Sequence, residues 1–433
     1  MKIYIETLGC PKNFNDSQVA AGILEEAGHQ MTDDPGAADA IIVNTCGFIE
    51  DAKTESIDRI FEMSRQGKLL LVSGCLPQRY GEELYREIPE VDIFLGVNDY
   101  DKLPQILEHH IAGEREKYLS PYTRELETTL RKLGDHPYSA TIKIAEGCNN
   151  RCTYCAIPAI RGPYRSRSKD AIIDEAKRLA AAGTKEIILI AQDTTAWGQD
   201  IYGEYRLAEL LRELCRIDGI RWIRLLYCYE EKITDELIEV MAAEEKICNY
   251  IDIPLQHGSD RILKKMARLS TRASIEDTLA RLRKAMPDIH IRTTLITGFP
   301  GETEADFEEL VSLVEEQKFE RLGVFAYSAE DGTPAAEMPD QVEQGIKEER
   351  RDAIMRRQLD ISLISNQQKI GSEQEVILEE PDAPGVWLGR SRYDAPEIDC
   401  GVVVNTGKEH EPGDIIRVKI NDAFDYDLIG KEI

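Results

Sequence analysis

The sequence predicts an α/β protein in three parts: an amino-terminal parallel α/β domain, a central partial (β/α)6 barrel and a small all-β barrel at the carboxyl end. Three observations carry this. Apolar runs alternate with amphipathic stretches from Lys2 to about residue 112, the pattern of a parallel sheet buried on both faces. The same β-α alternation resumes near residue 139 and repeats six times before residue 342. From about Glu373 the pattern changes to short strands punctuated by glycine and proline. At 433 residues the chain is long enough for several cores.

The first strand, Lys2 to Thr7, ends at Gly9-Cys10-Pro11-Lys12-Asn13, and a helix reads from about Asp16 to Ala27. The second, Ala40 to Asn44, ends at Thr45-Cys46-Gly47 and leads into a helix over Glu50 to Ser64. The third, Leu69 to Ser73, ends at Gly74-Cys75-Leu76-Pro77. Ligands gather beyond the carboxyl ends of such strands. Cys10, Cys46 and Cys75 therefore arrive at one edge, each beside a glycine that lets backbone approach a bulky group. The repeated register points to a shared metal site, against three chance strand-end cysteines. Residues 113–138, charged and carrying Pro121, Gly134 and Pro137, read as a linker.

The barrel strands are expected at Thr141 to Ala145, Glu186 to Ala191, Trp222 to Tyr227, Tyr250 to Ile253, Ile291 to Thr297 and Leu322 to Tyr327. Six units are too few to close an eight-fold barrel, so one side stays open to a large substrate. Right after the first of these strands come Cys148, Cys152 and Cys155, with polar Asn149, Asn150 and Arg151 between them. Four-iron clusters are held by cysteine thiolates, normally four. No fourth cysteine lies nearby, which leaves one iron free for substrate or cofactor. A zinc site would want a fourth ligand, and the nearest histidine, His136, precedes the strand. Arg161, Arg165 and Arg167 follow the loop, to neutralise an anionic cluster, to steer a carboxylate, or merely as a solvated basic turn.

Residues 343–368 read as a long charged helix leading to the end domain at 369–433, whose strands are expected at Glu375 to Glu379, Val386 to Arg390, Val402 to Val404, Ile415 to Ile420 and Phe424 to Ile429. From Asn366 to Ile433 seven Lys and Arg face fifteen Asp and Glu, a net of −8. An RNA surface needs the opposite sign, so this domain suits a basic protein and argues against direct nucleic-acid binding. The whole chain, at −27, leans the same way, although acidic surfaces also serve solubility. No twenty-residue apolar run is present, hence no membrane span is expected. Clustered cysteines without a disulfide framework suit a reducing cytoplasm.

The Cys-x-x-x-Cys-x-x-Cys run, with aromatic Tyr154 before its last cysteine, resembles the signature of the radical S-adenosylmethionine superfamily. That likeness implies S-adenosyl-L-methionine chelated by the open iron and cleaved by one electron to a deoxyadenosyl radical. Leu8-Gly9-Cys10-Pro11-Lys12-Asn13, Asn44-Thr45-Cys46-Gly47-Phe48-Ile49 and Gly74-Cys75-Leu76-Pro77-Gln78-Arg79-Tyr80 resemble the amino-terminal domain of the methylthiotransferases. Gly389-Arg390-Ser391 and Asp394-Ala395-Pro396-Glu397-Ile398-Asp399 resemble the TRAM domain of that family. The resemblance implies a second 4Fe-4S cluster on Cys10, Cys46 and Cys75, hence two clusters in all. Its Cys-Pro-Lys-Asn form resembles the branch that modifies an aspartate β-carbon of small-subunit ribosomal protein twelve; the branch acting on tRNA adenosine reads Cys-Gln-Met-Asn there. An electron-donating reductase is implied as partner. A non-catalytic iron–sulfur scaffold or an RNA-binding module is the rival from another class.

The resemblance also offers cofactor contacts at Tyr154, Gln192, Gln256, Arg268 and Gly298. Lying on the loops after the strands, Gln192 and Gln256 suit hydrogen bonds to the nucleoside or the methionine carboxylate, and Arg268 a pair with that carboxylate; each equally suits a satisfied structural polar role. Gly298 suits either backbone contact with adenine or ribose, or a tight turn capping the next helix. Thr294 and Gly301 depart from the superfamily's fifth-strand pattern, Gly-x-Ile-x-Gly-x-x-Glu. No acid–base catalytic residue is assigned.

Overall fold

The computed structural model describes residues 1–122, 130–134 and 137–433. In the first domain β1 (Lys2–Thr7), β2 (Gln30–Met31), β3 (Ala40–Thr45), β4 (Leu69–Gly74), β5 (Ile93–Leu95) and β6 (Glu116–Tyr118) form one sheet in the order β2-β1-β3-β4-β5-β6. Every pairing is parallel. All six residues of β3 are buried. Ile41 and Val43 pack with Ile60, Met63 and Leu76 on one face, while Ala40 and Ile42 pack with Ala20, Leu24 and Leu103 on the other. Neighbours along a strand point to opposite faces, so a strand apolar throughout demands helices on both sides.

In this domain two stretches differ from expectation. The first helix runs Pro11–Glu26 rather than starting near Asp16. Proline suits the first helical position, where no amide hydrogen is needed, and the polar residues of that turn, Lys12, Asn13, Asn15 and Asp16, are buried instead of solvated. β6 falls inside the stretch expected to be linker; it extends the sheet by main-chain pairing with β5, which its charged sequence does not advertise. Residues 123–129 and 135–136 of that stretch, with His136, lie outside the described residues.

The central sheet contains β7 (Ser139–Lys143), β10 (Glu186–Ile190), β11 (Trp222–Leu225), β12 (Ile247–Asp252), β13 (His290–Thr297) and β14 (Arg321–Ala326), while β8 (Ala145–Glu146) and β9 (Arg165–Ser166) pair separately across the cysteine loop. The six long strands follow one another in chain order, all parallel, with β7 and β14 left as edges. This is the open (β/α)6 arrangement. Ile142, Ile187, Leu189, Ile223, Leu225, Ile251 and Leu295 form the core with the surrounding helices.

The first domain grips both edges of the opening. On the β7 side Asn15 donates to the Thr141 carbonyl at 3.2 Å, and Lys143 donates to Asp16 at 2.6 Å. On the β14 side Glu330 accepts from Arg79 at 3.0 Å and from the Glu50 amide at 2.9 Å.

A helix over Gln344–Gln367 leads to β15 (Glu373–Ala383), β16 (Val386–Ser391), β17 (Val402–Asn405), β18 (Ile415–Ala423) and β19 (Leu428–Glu432), a closed barrel in the order β15-β16-β17-β19-β18. The last strand starts at Leu428, not Phe424: the Phe424 amide closes a tight turn on the Asp427 carbonyl at 2.8 Å, and Asn366 holds the Phe424 carbonyl at 3.1 Å. This domain plugs the base of the central barrel. Its Ile377, Ala395 and Ile415 pack on Tyr138, Ile188, Trp222 and Tyr250. Glu186, at the start of β10, accepts from Arg224 at 3.0 Å and from the end domain's Arg390 at 3.1 Å.

Candidate active site

Opposite that plug, at the carboxyl ends of the strands, two cysteine triads meet. Cys10 caps the helix Pro11–Glu26, Cys46 directly follows β3, and Cys75 opens the helix Cys75–Glu87. A Cβ on Gly9 would stand 2.8 Å from the Cys46 Cβ and 3.2 Å from its Sγ, so the first two loops touch. Asn13 joins all three: its Nδ2 donates to the Leu8 carbonyl at 2.9 Å and the Thr45 carbonyl at 3.0 Å, and its Oδ1 lies 3.7 Å from Cys75 Sγ. Gly74, at φ +100°, has the Asn44 Oδ1 and Thr45 carbonyl 2.4 Å from where a Cβ would sit, which only glycine permits. Burial pushes the Cys46 thiol up to about 12, with the Cys75 and Cys10 sulfurs adding to the effect.

Cys148, Cys152 and Cys155 occupy the loop between β8 and β9. Asn150 Nδ2 lies 3.3 Å from Cys148 Sγ, the Ile157 amide 3.4 Å from Cys155 Sγ, and the Tyr229 hydroxyl 3.9 Å from Cys152 Sγ. Burial pushes the Cys155 thiol up to about 12, and the Cys152 and Cys148 sulfurs add to it. Ligation by iron displaces such protons. Among the described residues no group of three or more His, Cys, Asp or Glu is placed to hold a single metal ion. A zinc site draws its ligands to about 2.3 Å from one point, whereas a cubane takes one thiolate per iron and needs them apart.

The cofactor side of the mouth has a matching vacancy in its hydrogen bonding. Arg268 is buried, its guanidinium 4.4 Å over the Tyr229 ring, and its Nε, Nη1 and Nη2 find no hydrogen-bond partner among the described residues. The Glu231 carboxylate stands 3.8 Å away. A planar, forked donor left open in this way fits an amino-acid carboxylate. Gln192 donates to Glu146 at 2.6 Å, and its Oε1 has no hydrogen-bond partner among the described residues.

Comparison with known proteins now decides the family. The Radical SAM superfamily model matches residues 142–314, an uncharacterized protein family, UPF0004, residues 2–96, and the TRAM domain residues 370–433. The ribosomal protein uS12 methylthiotransferase RimO of Desulforamulus reducens is 49% identical, with 98% of each chain covered. Its namesake in Geobacter sulfurreducens is 48% identical over 100% of this chain and 98% of that one. The chain belongs to the RimO family of radical SAM methylthiotransferases. Among solved structures, the radical S-adenosylmethionine methyltransferase TsrM of Kitasatospora setae superposes with a TM-score of 0.58 at 15% identity, covering 89% of this chain and 80% of that one. The cobalamin-dependent radical enzyme OxsB gives 0.53 at 13%, covering 83% and 56%. These two show the shared fold alone. As a RimO-family enzyme the protein uses an iron–sulfur cluster and S-adenosyl-L-methionine.

Within this RimO-family site the remaining expected contacts fare unevenly. Tyr154 packs beside Ile262, Met266, Phe299 and Tyr327, against the loop that carries Arg268. Gln256 lies buried at the mouth with left-handed backbone, φ +73°, fixed by a bridge to Leu295, and its amide reaches the Pro254 carbonyl at 3.5 Å. Gly298 serves the turn: its N–H donates to Glu302 at 2.9 Å, and a Cβ would strike Lys347 Cγ at 2.2 Å. His257 is fully buried against Glu302 at 3.1 Å, a structural pair. Of the three arginines after the cluster loop, Arg167 is tied to Glu175 at 2.6 Å and Arg165 donates to the Arg161 carbonyl at 3.4 Å. Arg161 is different. It binds Asp16 at 2.7 Å, Asn13 at 2.8 Å and Cys75 Sγ at 3.2 Å, all in the other domain.

Sequence reasoning missed several residues at the mouth. Burial alone would raise the Glu146 carboxyl, but Lys143 and Arg161 hold it down at about 2. Lys12 Nζ sits 3.2 Å from the centroid of the Tyr227 ring. Tyr227 has φ +60°, and its amide donates to Asp252 at 2.9 Å. Arg292 in turn bridges Asp252, at 3.0 Å, to the end domain's Asp399, at 3.4 Å. The signal available was a lysine inside the Cys10 loop; its partners are far away in sequence.

Proposed function

We propose that this enzyme places a methylthio group on the β-carbon of an aspartate in ribosomal protein uS12, with a 4Fe-4S cluster on each triad. The observation that carries the reading is the contact between the two sites: Arg161, on the turn after Cys155, reaches Cys75 Sγ at 3.2 Å across the domain boundary. Ala156 and Ile160 of that turn also pack on Cys75. The relatives' substrate and the acidic end domain, net −8, both favour a basic ribosomal protein over RNA.

When bound, the cluster and S-adenosyl-L-methionine supply a hydrogen-abstracting carbon radical, the route open to a carbon whose proton no side-chain base can remove. The chain's own residues bind, align and shield. Arg268 offers the methionine carboxylate a forked donor, with Gln192 and Gln256 at the same mouth. Arg161, itself held by Asp16 and Glu146, sets a positive charge beside the Cys75 sulfur. The units that serve this division are residues 1–118, 139–342 and 369–433, the last two joined by the helix Gln344–Gln367. The reading implies a cytoplasmic setting and a reductase as electron donor.

The test is anaerobic incubation of the reconstituted enzyme with reductant, S-adenosyl-L-methionine and either uS12 or total tRNA. Mass spectrometry is expected to find uS12 heavier by one methylthio group in place of hydrogen. Methylthio-adenosine in the tRNA with unmodified uS12 would replace this substrate by the other.

A further inference from the structure

We infer that Lys12 is the receptor for the substrate aspartate's carboxylate and so sets which substrate the site accepts. This deepens the uS12 reading and rests on it. Lys12 sits in the first turn of the helix that Cys10 caps, with only 7% of its surface exposed. Its Nζ donates to the Ala191 carbonyl at 3.4 Å, at the end of β10, and lies over the Tyr227 ring, just past β11. Both partners stand at the mouth of the barrel. Cys10 caps the helix that carries Lys12, while Ala191 and Tyr227 belong to the barrel, so the side chain reaches from the loop of one triad to the barrel mouth that holds the other.

Its bonding is incomplete. An ammonium has three N–H donors and no acceptor; a long hydrogen bond and a ring face use two directions. The neighbouring buried cations close on carboxylates, Lys143 on Asp16 and Glu146, Arg161 on Asp16. Among the described residues Lys12 has no carboxylate within 4.0 Å of Nζ. Buried charges are ordinarily paired, and the tyrosine face is a weaker partner than an anion.

The substrate supplies what is missing. The reacting β-carbon is bonded directly to the side-chain carboxylate, so anchoring that group fixes the carbon one bond away. Positioning of this kind is where a displacement of about 1 Å costs roughly 10²-fold in rate. A neutral base would leave the ammonium unpaired, and sites built around a polar group reject analogues that lack it.

The experiment uses the reconstituted holoenzyme without reductant, so that nothing turns over, and measures binding of uS12 and of uS12 with its target aspartate changed to asparagine. The wild-type enzyme is expected to prefer the aspartate form by about 10-fold, the scale of one charged hydrogen bond. In Lys12→Met the ratio is expected to fall to about 1, and Lys12→Arg to restore part of it. A Lys12→Met enzyme that keeps the wild-type ratio overturns the assignment, whether or not it loses iron; iron loss with the ratio kept would assign Lys12 to the cluster alone. No aspartate preference in the wild type overturns it as well. If wild type binds neither form, the uS12 reading itself fails.

Discussion

Cys46 and Cys152 belong to triads delivered by different domains, and single substitutions are expected to separate them. Cys46→Ala removes a thiol beside Gly9 and leaves the β8–β9 loop untouched. It is expected to lose about half the iron while still cleaving S-adenosyl-L-methionine. Cys152→Ala is expected to bring deoxyadenosine down to the reagent blank. Anaerobic iron and sulfide quantification, run beside a chromatographic deoxyadenosine assay, checks both; cleavage lost in the first variant or retained in the second would contradict the division. At this scale the six cysteines expected as ligands stood out because spacing and strand-end register are local properties. Lys12 was not, because what defines it is the Ala191 carbonyl, 179 residues away. Arg268 was legible as a cation after the fourth strand, but that its donors make no hydrogen bond among the described residues could come only from packing.

The three loops after β1, β3 and β4 behave as one element, stapled by Asn13. In Asn13→Ala the buried Leu8 and Thr45 carbonyls lose their side-chain donor and Arg161 loses an acceptor, at a cost of about 1–3 kcal/mol. The variant is expected to fold, to bind less iron at the Cys10 triad, and to keep the iron held by Cys148, Cys152 and Cys155. Iron counts in an Asn13→Ala, Cys152→Ala double variant isolate the first site; unchanged iron there would show that the staple is dispensable. Strands were readable wherever an apolar run met a glycine, as at Leu69–Gly74. β5 and β6, three residues each, were too short to stand out, and the charged residues of β6 pointed the other way.

Across the whole molecule, the end domain is latched to the barrel through Glu186. Burial would raise this carboxyl, but Arg390 and Arg224 bring it from the usual 4.5 down to about 2. A carboxyl depressed on folding gives stability that is complete above its unfolded pKa and is lost as pH falls through the folded one. The latch is therefore expected to weaken between about pH 4.5 and pH 2. Glu186→Gln leaves buried Arg224 short of an anion and Arg390 with Glu379 alone, and is expected to cost about 3–5 kcal/mol at neutral pH, with a flatter acid dependence. Thermal melts against pH check this, and a variant melting like wild type at pH 7 would remove the latch from the account. That an all-β domain follows the barrel was plain from the sequence. That it sits under the barrel was not, since docking depends on single long-range pairs such as Arg390 with Glu186.

One such pair reaches further than the floor. Arg292 is shared by Asp399 from below and Asp252 from above, and Asp252 fixes the backbone of the tyrosine on which Lys12 rests. The tail thus works as a keystone: with it cut away, Arg292 would keep Asp252 but lose Asp399, and the loss would be felt at the tyrosine under Lys12.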